Sequence, residues 1–578
     1  MNGQLGNCAW QFWISVVLLL SGPAVWAEPI QISWDPFANL TSQHMAEVEP
    51  DIYAYGSTVV ATFQQGRIYG GAASDVGFAT SYDSGATWIS GSLPGITRYY
   101  GDGDDLAAGD SSVVYNAAYG VWLIACSPLS SVGLWREILV SRSQDGINWD
   151  DPIAVIIGEG SPNFDKPWIT CDNTPTSPYF GNCYVQWDNA NQGDRILMST
   201  SRDGGVTWEA PLATADLANG LGGQPLVQPS GQVVVPYQSL AGELRAFISD
   251  DGGGTWSESA TISRLTAHRV AGGLRTPGLP SAGIDGDGRV YVAWEDCRFR
   301  PSCQANDIVF STSLDGFVWS EVNRIPITEI TSVADHFIPG LAVDTATSGD
   351  DVHLALAYYY YPNGVCTPST CQLIGGFIES SDGGNSWSSA IDMTEPISLS
   401  WLASTSQGLM VGDYIATYFT DDGNAHPVFA SATMPEGMTF FESTYTATYA
   451  PNLATRLAAD RAIVRPTVVD EQVRVDDLTK LAVTTTVNAK YLVSEAGRSW
   501  LVNIGGEVLI TAEVRGTPNN TIHCSLPDGP SSGSVRNPGL SSCVYTAPLR
   551  EGVYHVRVAS LENANVGDTV EINVYSVK

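Results

Sequence analysis

Ionisable side chains stand at the starts of several short β-rich runs of this sequence, next to a Pro or a Gly. Carboxylates, imidazole and phenol can act as acids, bases or nucleophiles, and arginine or lysine can bind an anionic group. Aspartate beside Pro or Gly is also a common turn former, which is the alternative for each carboxylate taken alone. The catalytic candidates are Asp165, Asp335, His336, Asp413 and Tyr414, and the substrate-binding candidates are Glu49, Asp110, Lys166, Arg275 and Arg298.

Each of the more distinctive candidates also has a structural interpretation. Lys166 is one of four lysines in the chain, and with Asp165 it forms either a structural ion pair, which is favoured, or a catalytic pair. His336 follows an aspartate and would suit acid–base chemistry, but a hydrogen-bonded structural histidine is favoured. Asp413 and Tyr414 offer a carboxylate beside a phenol nucleophile, or ordinary strand packing.

A turn motif of the form Ser-x-Asp-x-Gly-x-Thr/Ser-Trp repeats along the chain, twice in a version one residue shorter. The copies occupy 81–88, 143–149, 201–208, 249–256, 313–319 and 380–387. A degenerate seventh copy, 435–440, keeps the Gly, the Thr and an aromatic residue but lacks the Asp. Asp can accept N–H bonds of its own turn, Gly supplies a positive φ, and Trp packs between sheets, so the motif is a folding device.

The elements that must position the candidates are therefore β-strands. The terminal aromatic residues of the copies recur every 48 to 68 residues, a period typical of propeller blades, and helical periodicity is almost absent. We expect an all-β fold with four short strands per blade, closed into a ring. Stepping back from each turn to the preceding strand brings the candidates to the central axis, where a water-filled polar pocket is expected.

The motif resembles the Asp-box, or bacterial neuraminidase repeat, and residues of about 30–450 resemble the sialidase-like propeller superfamily. Well-known sialidases have six blades, whereas the copies found here suggest six or seven, with seven favoured. The resemblance implies a Tyr/Glu nucleophile pair, an Asp acid–base and three arginines that clamp a substrate carboxylate. The same box also occurs in lyases, other glycosidases and non-catalytic propellers.

The family's catalytic pattern carries over only in part. Its Phe/Tyr-Arg-Ile-Pro signature is absent, and the most similar segment, Gly66–Tyr69, has no Pro. Arg275 and Arg298 are the candidates for the clamp, and the resemblance makes Tyr414, at the last inner strand, the candidate for the family's tyrosine. Because no complete arginine triad can be assigned, sialidase activity in the strict sense is not favoured.

The chain divides into four predicted regions. Residues 1–27 carry no charged side chain and contain an apolar run, which predicts a secretory signal cleaved near Glu28, with an uncleaved anchor as the alternative. The propeller is expected over 28–455 and a linker over 456–480. Residues 481–578 resemble bacterial immunoglobulin-like modules through Gly505-Gly506 and the run Cys543–Pro548, which predicts a β-sandwich.

Cysteine spacing agrees with export. Nearest-neighbour pairing predicts disulfides between Cys171 and Cys183, Cys297 and Cys303, Cys366 and Cys371, and Cys524 and Cys543. Metal ligation is the alternative, but C-x-x-C spacing and a nearby His cluster are both missing. Cys126 lies in an apolar context and is expected to be a buried thiol.

The amino-acid composition limits the classes of partner that the protein can bind. Of 578 residues, 27 are Lys or Arg and 61 are Asp or Glu, a formal charge of −34, which argues against binding to nucleic acid or an anionic membrane. After the leader no segment is long and apolar enough to span a bilayer, and a monomer is expected. The acidic run 102–105 could offer calcium oxygen ligands, but it lacks EF-hand spacing, so a solvated loop is favoured and no cofactor is expected.

The sequence therefore predicts an exported, glycan-active propeller, with an exo-glycosidase acting on terminal sugars, acidic ones included, as the leading function. One alternative is a non-catalytic propeller that binds glycan or protein at the cell surface. The other is a polysaccharide lyase, in which His336 or Tyr414 would abstract a proton.

Overall fold

The computed structural model describes residues 29–437 and 439–449 and, beyond them, the strands between 482 and 575. The chain divides into two compact units, Met1–Ala462 and Ile463–Lys578. The boundaries at 455 and 480 remain predictions, and the expected leader lies outside the described residues. Besides strands, the regular structure of the described residues consists of short 3₁₀ turns at Ala190–Gln192, Pro301–Cys303, Gly349–Asp351 and Leu399–Trp401.

The first unit is built from short β-strands. Its first half contains β1 Ile30–Gln31, β2 Glu47–Tyr55, β3 Thr58–Arg67, β4 Ala73–Ser81, β5 Ile89–Ser92, β6 Ala107–Asn116, β7 Val121–Leu129, β8 Glu137–Ser143, β9 Ile153–Ile157, β10 Phe164–Cys171, β11 Cys183–Asn189, β12 Arg195–Ser201, β13 Leu212–Ala213, β14 Gly220–Leu221, β15 Leu226–Val227 and β16 Val233–Ser239. Its second half contains β17 Glu243–Ser249, β18 Ala260–Arg264, β19 Ser281–Ile284, β20 Val290–Asp296, β21 Asp307–Ser313, β22 Asn323–Arg324, β23 Asp335–Val343, β24 Leu354–Tyr361, β25 Gln372–Ser380, β26 Ile391–Asp392, β27 Ile397–Ser398, β28 Ser404–Thr405, β29 Gly408–Leu409, β30 Ala416–Phe419, β31 Ala425–Glu436 and β32 Thr439–Thr446.

These strands form an all-β propeller, as the repeat predicted. The inner strands β2, β6, β10, β15, β19, β23 and β30 each lie beside the next, and β30 lies beside β2, so the ring is closed. From each inner strand a sheet extends outward by antiparallel pairing with the strands that follow it in sequence. The starts of the inner strands therefore meet at one end of a common axis.

The number of separate blades differs from the expected six or seven. Five sheets of four or five strands are separate blades: β10–β13, β14–β18, β19–β22, β23–β27, and β30–β32 with β1. The remaining large sheet has eight strands, β2–β9, because Ala73 of β4 pairs with Ala108 of β6 and joins two four-stranded sets. It holds two of the repeat turns, so counting turns does not count separate sheets.

The ring is closed by the first strand of the unit. β1 pairs antiparallel with β32, with Ile30 opposite Thr446 and Gln31 opposite Tyr445, and forms the outer strand of the last blade. The last blade is thus assembled from both ends of the unit's sequence.

The six full repeat turns connect the third and outer strands of their sets, and their hydrogen bonds explain the motif. In the first, Asp83 accepts the Thr87 N–H at 2.8 Å and the Thr87 hydroxyl at 2.7 Å. Gly85 has φ +83°, and the Trp88 indole donates to its carbonyl at 2.9 Å. The degenerate copy instead forms the β31–β32 hairpin, between the second and third strands of its blade, so it is not an equivalent turn.

Apolar side chains fill the spaces between neighbouring sheets, and three disulfides staple strands or loops. The predicted bonds Cys171–Cys183, Cys297–Cys303 and Cys366–Cys371 are confirmed. Cys126 is a free, buried thiol, as expected, in a core cluster with neighbouring valines and isoleucines. The side chains of the fourth predicted pair, Cys524 and Cys543, lie outside the described residues.

The second unit contains two sheets. Their strands are β33 Ala482–Ala489, β34 Glu495–Ala496, β35 Ser499–Asn503, β36 Glu507–Arg515, β37 Ile522–Ser525, β38 Ser534–Arg536, β39 Ser542–Thr546, β40 Gly552–Ser560 and β41 Gly567–Tyr575. One sheet has the order β33-β36-β39-β38 and the other β34-β35-β41-β40-β37, with β35 and β41 parallel. The immunoglobulin-like assignment remains a prediction.

Candidate functional site

A shared backbone distortion aims side chains at the axis. In β2, β6, β10 and β23 the pairing with the next strand shifts by a bulge near the start of the strand. The first bulged residue has a left-handed φ: +55° for Glu49, +49° for Asp110, +51° for Lys166 and +51° for Ile338. This conformation costs a non-glycine residue about 1–3 kcal/mol and is concentrated at functional sites, and bulges re-aim side chains.

Three of these bulged residues meet at one ammonium group. Lys166 Nζ lies 2.7 Å from Asp110 Oδ1, 2.7 Å from Asp413 Oδ2 and 3.6 Å from Glu49 Oε1. The lysine side chain is only 7% exposed, so its charge requires these partners. The residues come from β2, β6, β10 and the loop before β30, and we call Glu49, Asp110, Asp165, Lys166, Arg275 and Asp413 the axial cluster.

Arg275 and a second, deeper arginine complete the charge balance. Arg275 Nη2 donates to Asp413 Oδ2, the oxygen that also contacts Lys166. Below them, Arg67 Nη1 donates to Gln64 Oε1 at 2.9 Å, and Gln64 Nε2 donates to Glu49 Oε2. Glu49 Oε1 in turn accepts the Asp413 N–H at 3.0 Å. The cluster is therefore held from beneath by a continuous chain of hydrogen bonds.

The carboxyl groups of the cluster differ in acidity. Burial raises the pKa of Asp165 to about 7, with further upward shift from the nearby Asp110 charge. Burial acts on Asp110 as well, but Lys166 outweighs it and holds the pKa of Asp110 below its usual value. Asp110 and Asp165 share a side-chain hydrogen bond, in which a protonated Asp165 is the donor and Asp110 the acceptor. Burial also raises the pKa of Glu49 to about 7, against the opposing effect of Lys166.

The cluster opens into a cleft of about 460 Å³, which we call the axial cleft. Charged side chains of both signs line it, together with main-chain and apolar groups of the loop 269–279. The charged lining residues are Asp165, Lys166, Asp194, Arg269, Arg275 and Asp413. Arg269 is exposed, and no ion pair is formed by it among the described residues. A ligand in this cleft would meet a half-buried carboxyl group, a fixed carboxylate and two guanidinium groups.

Two buried polar side chains behind the cleft lack hydrogen-bond partners among the described residues. Asp188, opposite Asp165 in the β10–β11 pair, is fully buried with both carboxyl oxygens unpartnered. Burial, and next the charge of Asp165, raise the pKa of Asp188 well above its usual value. Gln186, on the same face of β11, also has both amide atoms unpartnered.

Tyr414 lies beside the cluster but not in the axial cleft. Its ring centroid is 5.9 Å from Lys166 Nζ, and its hydroxyl donates to the Ser111 carbonyl at 3.1 Å. Burial raises the pKa of Tyr414 well above its usual value. The phenol is therefore a neutral, anchored group that packs edge-to-face on Trp168 at 5.2 Å.

Two adjacent sequence candidates, Asp335 and His336, belong to a different environment. Asp335 accepts the Asn306 N–H at 2.7 Å and contacts His268 Nδ1 at 3.1 Å. His336 is fully buried, contacts the Asn306 carbonyl through Nδ1 at 3.1 Å and stacks on Tyr360. Burial lowers the pKa of His336 to about 4. Neither residue lines the axial cleft, and the bulge of β23 comes after them, where Ile338 has the left-handed φ.

Arg298, expected in the substrate clamp, also lies outside the cleft. Its guanidinium group binds Asp296 through two hydrogen bonds of 2.9 and 2.7 Å and also donates to Ser263. Among the described residues, the arginines that line the cleft are Arg269 and Arg275.

The calcium alternative receives no support from the side-chain arrangement. Among the described residues, no group of three or more His, Cys, Asp or Glu side chains could hold a metal ion. In the acidic run, Asp105 forms a β-bridge with Thr97, and burial raises the pKa of Asp105 to about 7. Over the residues that the structure describes, no helix is long and apolar enough to cross a membrane.

No protein-family model matches the chain, and no curated protein matches it significantly. Solved structures do resemble it. A protein of unknown function from Dyadobacter fermentans has 13% identity over 59% of this chain and 95% of its own, with a TM-score of 0.39. The NanB sialidase from Streptococcus pneumoniae has 14% identity over 72% and 70%, with a TM-score of 0.37. The α-L-arabinanase from Penicillium chrysogenum has 11% identity over 73% and 98%, with a TM-score of 0.37. Similarities of this size carry no information about activity.

Proposed function

We propose that this protein is a glycoside hydrolase that removes a terminal sugar from a glycan at the axial cleft. The observation that carries the proposal is a pair of carboxyl groups in unlike environments at the cleft: burial raises the pKa of Asp165 to about 7, whereas Asp413 contacts the cations Lys166 and Arg275. Environments that push two neighbouring carboxyl pKa values apart supply an acid and a base at the same pH. Glycoside hydrolysis requires such a pair.

In this proposal Asp165 is the general acid. It is half-buried, lines the cleft and retains its proton up to near neutral pH. As the glycosidic C–O bond breaks, Asp165 gives its proton to the leaving oxygen. Water then supplies a hydroxyl group to the anomeric carbon and a proton that returns to the acid, so each cleavage consumes one water.

In this proposal Asp413 is the carboxylate that lies beside the anomeric carbon of the bound sugar. It lines the cleft and contacts both Lys166 and Arg275. Tyr414 is not assigned as the nucleophile, because its hydroxyl is buried and donates to a main-chain carbonyl.

The sugar class is proposed from the arginines of the cleft. Arg275 is engaged by Asp413, whereas Arg269 is exposed and can bind an acidic substituent of the substrate through two parallel hydrogen bonds. We therefore propose an acidic terminal sugar bound by Arg269. Export is proposed with it, because disulfides persist in oxidising compartments.

The test uses sialosides, uronides and neutral glycosides, each with an activated aryl and an alkyl leaving group. Asp165→Asn should lose about 10²–10⁴-fold in rate on the alkyl glycoside and much less on the aryl one, which needs little acid catalysis. Asp413→Asn should lose activity on both. Arg269→Ala should lower kcat/KM on acidic glycosides alone, and the control Arg298→Lys should match wild type. Equal losses of Asp165→Asn on both leaving groups would reject the acid assignment.

The two alternatives make different predictions in the same experiment. A glycan-binding propeller would bind a glycan array and release no sugar from any substrate, and a specific observation favours it: the cluster carboxylates are engaged by Lys166 and Arg275. A lyase would release an unsaturated uronide that absorbs ultraviolet light. His336 and Tyr414, its expected bases, are both buried outside the cleft, so the lyase is not proposed.

A further inference from the structure

Three cavities follow one another along the axis and share walls. The axial cleft is bounded by Lys166 and Leu279, which also border a small second cavity of about 10 Å³. This waist cavity is bounded in turn by Trp168 and Gln224, which also border a third cavity of about 300 Å³. We call the third the rear cavity. Neighbouring cavities thus have side chains in common at both boundaries.

The order of the cavities follows the direction of the inner strands. Along β10, Lys166 borders the cleft and the waist, Trp168 the waist and the rear cavity, and Cys171 the rear cavity alone. On the opposite side of the axis, Asp413 borders the cleft, Tyr414 the waist and the residues of β30 the rear cavity. The cavities follow in the same order along these two strands, which belong to different blades. They are therefore stacked along the axis, and the rear cavity opens at the end opposite the cleft.

The waist has the size and polarity to hold one water molecule. A site of about 10–15 Å³ is the minimum for a water, which also needs polar partners. Gln224 borders the waist and offers such a partner: its amide oxygen accepts the Ala282 N–H at 2.8 Å, and its NH₂ group has no partner among the described residues. The apolar walls, Trp168 and Tyr414, touch edge-to-face at 5.2 Å and exclude a larger molecule.

The rear cavity differs from the cleft in charge. Its one charged lining residue, among those described, is Asp51, whose carboxylate accepts the Val113 N–H at 2.8 Å. Burial raises the pKa of Asp51 to about 7. The cleft, by contrast, is lined by six charged side chains. A charged sugar would therefore be held at the cleft, while the rear cavity presents one ionisable carboxyl group, that of Asp51, and no cation to retain an acidic sugar.

We infer that the propeller axis is a solvent passage that supplies water to Lys166 from the face opposite the axial cleft. The inference rests on the proposed function for its purpose. Hydrolysis consumes one water per bond cleaved, and a sugar seated over Asp165 and Asp413 closes the cleft side of the cluster. Because the waist cavity holds one water molecule, water can pass through it from the rear cavity, whereas a sugar is too large to leave the axial cleft by this route.

The passage can be tested without a substrate. Because the chain has four lysines, ¹⁵N-lysine labelling gives few ammonium signals, and Lys166→Arg identifies the signal of Lys166. Single cysteines at Gln407, an exposed residue of the cleft, and at Thr345, an exposed residue of the rear cavity, would be modified with a bulky methanethiosulfonate reagent. Ser389→Cys, modified in the same way at an exposed turn, is the control.

Hydrogen exchange of the Lys166 ammonium group with solvent is the measurement. Modification at position 407 alone, which blocks the cleft, should change the exchange rate by no more than about twofold. Modification at positions 407 and 345 together, which blocks both ends, should slow exchange by about tenfold or more relative to the Ser389→Cys control. Tenfold slowing by the cleft block alone, or no slowing by the double block, would overturn the inference. Neither outcome depends on turnover, so failure of the passage and failure of the hydrolase assignment are distinguishable.

Discussion

Replacing Lys166 by methionine should destabilise the propeller strongly at neutral pH. The ammonium group makes two contacts of 2.7 Å, each worth roughly 6 kcal/mol in gross Coulomb energy at an effective dielectric constant of about 20. Most of this gain is cancelled by desolvation in the wild type, but Lys166→Met leaves the carboxylates buried without the compensating charge. Breaking a buried ion pair in this way costs about 3–5 kcal/mol, and that is the expected loss in the free energy of unfolding.

The loss should become smaller as the pH falls. In the wild type the pKa of Asp110 is below its unfolded value, so the stability it contributes is present above the unfolded pKa and is lost as the pH falls through the folded pKa. In Lys166→Met the lowering partner is gone and burial raises the pKa of the same group. The variant then regains stability as protons bind below that raised pKa. The difference between the two proteins is therefore largest at neutral pH and smallest in acid.

Urea unfolding followed by tryptophan fluorescence at pH 7.5 and pH 5 would measure this difference. The double variant Lys166→Met/Asp110→Asn removes one of the uncompensated charges, so it should be more stable than Lys166→Met at pH 7.5 and similar to it at pH 5. A loss below about 0.5 kcal/mol in Lys166→Met would refute the reasoning, since that is the scale of an ordinary surface substitution. A large loss that is equal at both pH values would show a packing defect instead of an uncompensated charge.

Three further predictions concern other parts of the propeller. Asp203→Ala, which removes the acceptor for the N–H and hydroxyl groups of its repeat turn, should lower the unfolding free energy by about 1–2 kcal/mol in urea, whereas the exposed Asp287→Ala should change it by less than about 0.5 kcal/mol. Burial raises the pKa of Glu47 to about 8, so its stabilising effect is lost as the pH rises through that value, and Glu47→Gln should raise Tm at pH 9 relative to wild type but not at pH 5. Cys126 is buried and its thiol pKa is raised, so wild type and Cys126→Ala should react equally with a thiol reagent when folded, while in urea the variant should lack one reactive thiol.

The fold and much of the axial cluster could be predicted because local rules determine them. The repeat turns depend on contacts within eight residues, and three disulfides join cysteines no more than 12 positions apart. The Pro- or Gly-marked strand starts led to Glu49, Asp110, Asp165, Lys166, Arg275 and Asp413, because the bulged residue lies at or beside these markers. The separate-blade count was missed because one pair, Ala73 and Ala108, has no sequence signature.

The remaining site residues depend on long-range packing. Asp335 precedes its bulge by three positions, and this small shift moves it away from the axis to His268. Arg298 binds Asp296, two positions before it in the chain. The short separation makes this contact possible, but the sequence alone does not predict it. Gln64, Arg67 and Asp188 were missed because they lie on second strands, whose ends approach the axis only once the ring closes. For Arg67 the sequence did offer a signal, because this arginine lies in the segment Gly66–Tyr69, the nearest match to the family's signature.

Pairing of β1 with β32 has a kinetic consequence. Since Ile30 lies opposite Thr446, the ring cannot close until the last blade has been synthesised and both ends of a very long loop have met. Such non-local contacts form slowly, and until then β32 presents an open edge on which another chain can add a strand. Chains trimmed at the amino terminus past Gln31 should therefore fold most of their blades and then aggregate, even though the lost residues contact nothing in the axial cleft.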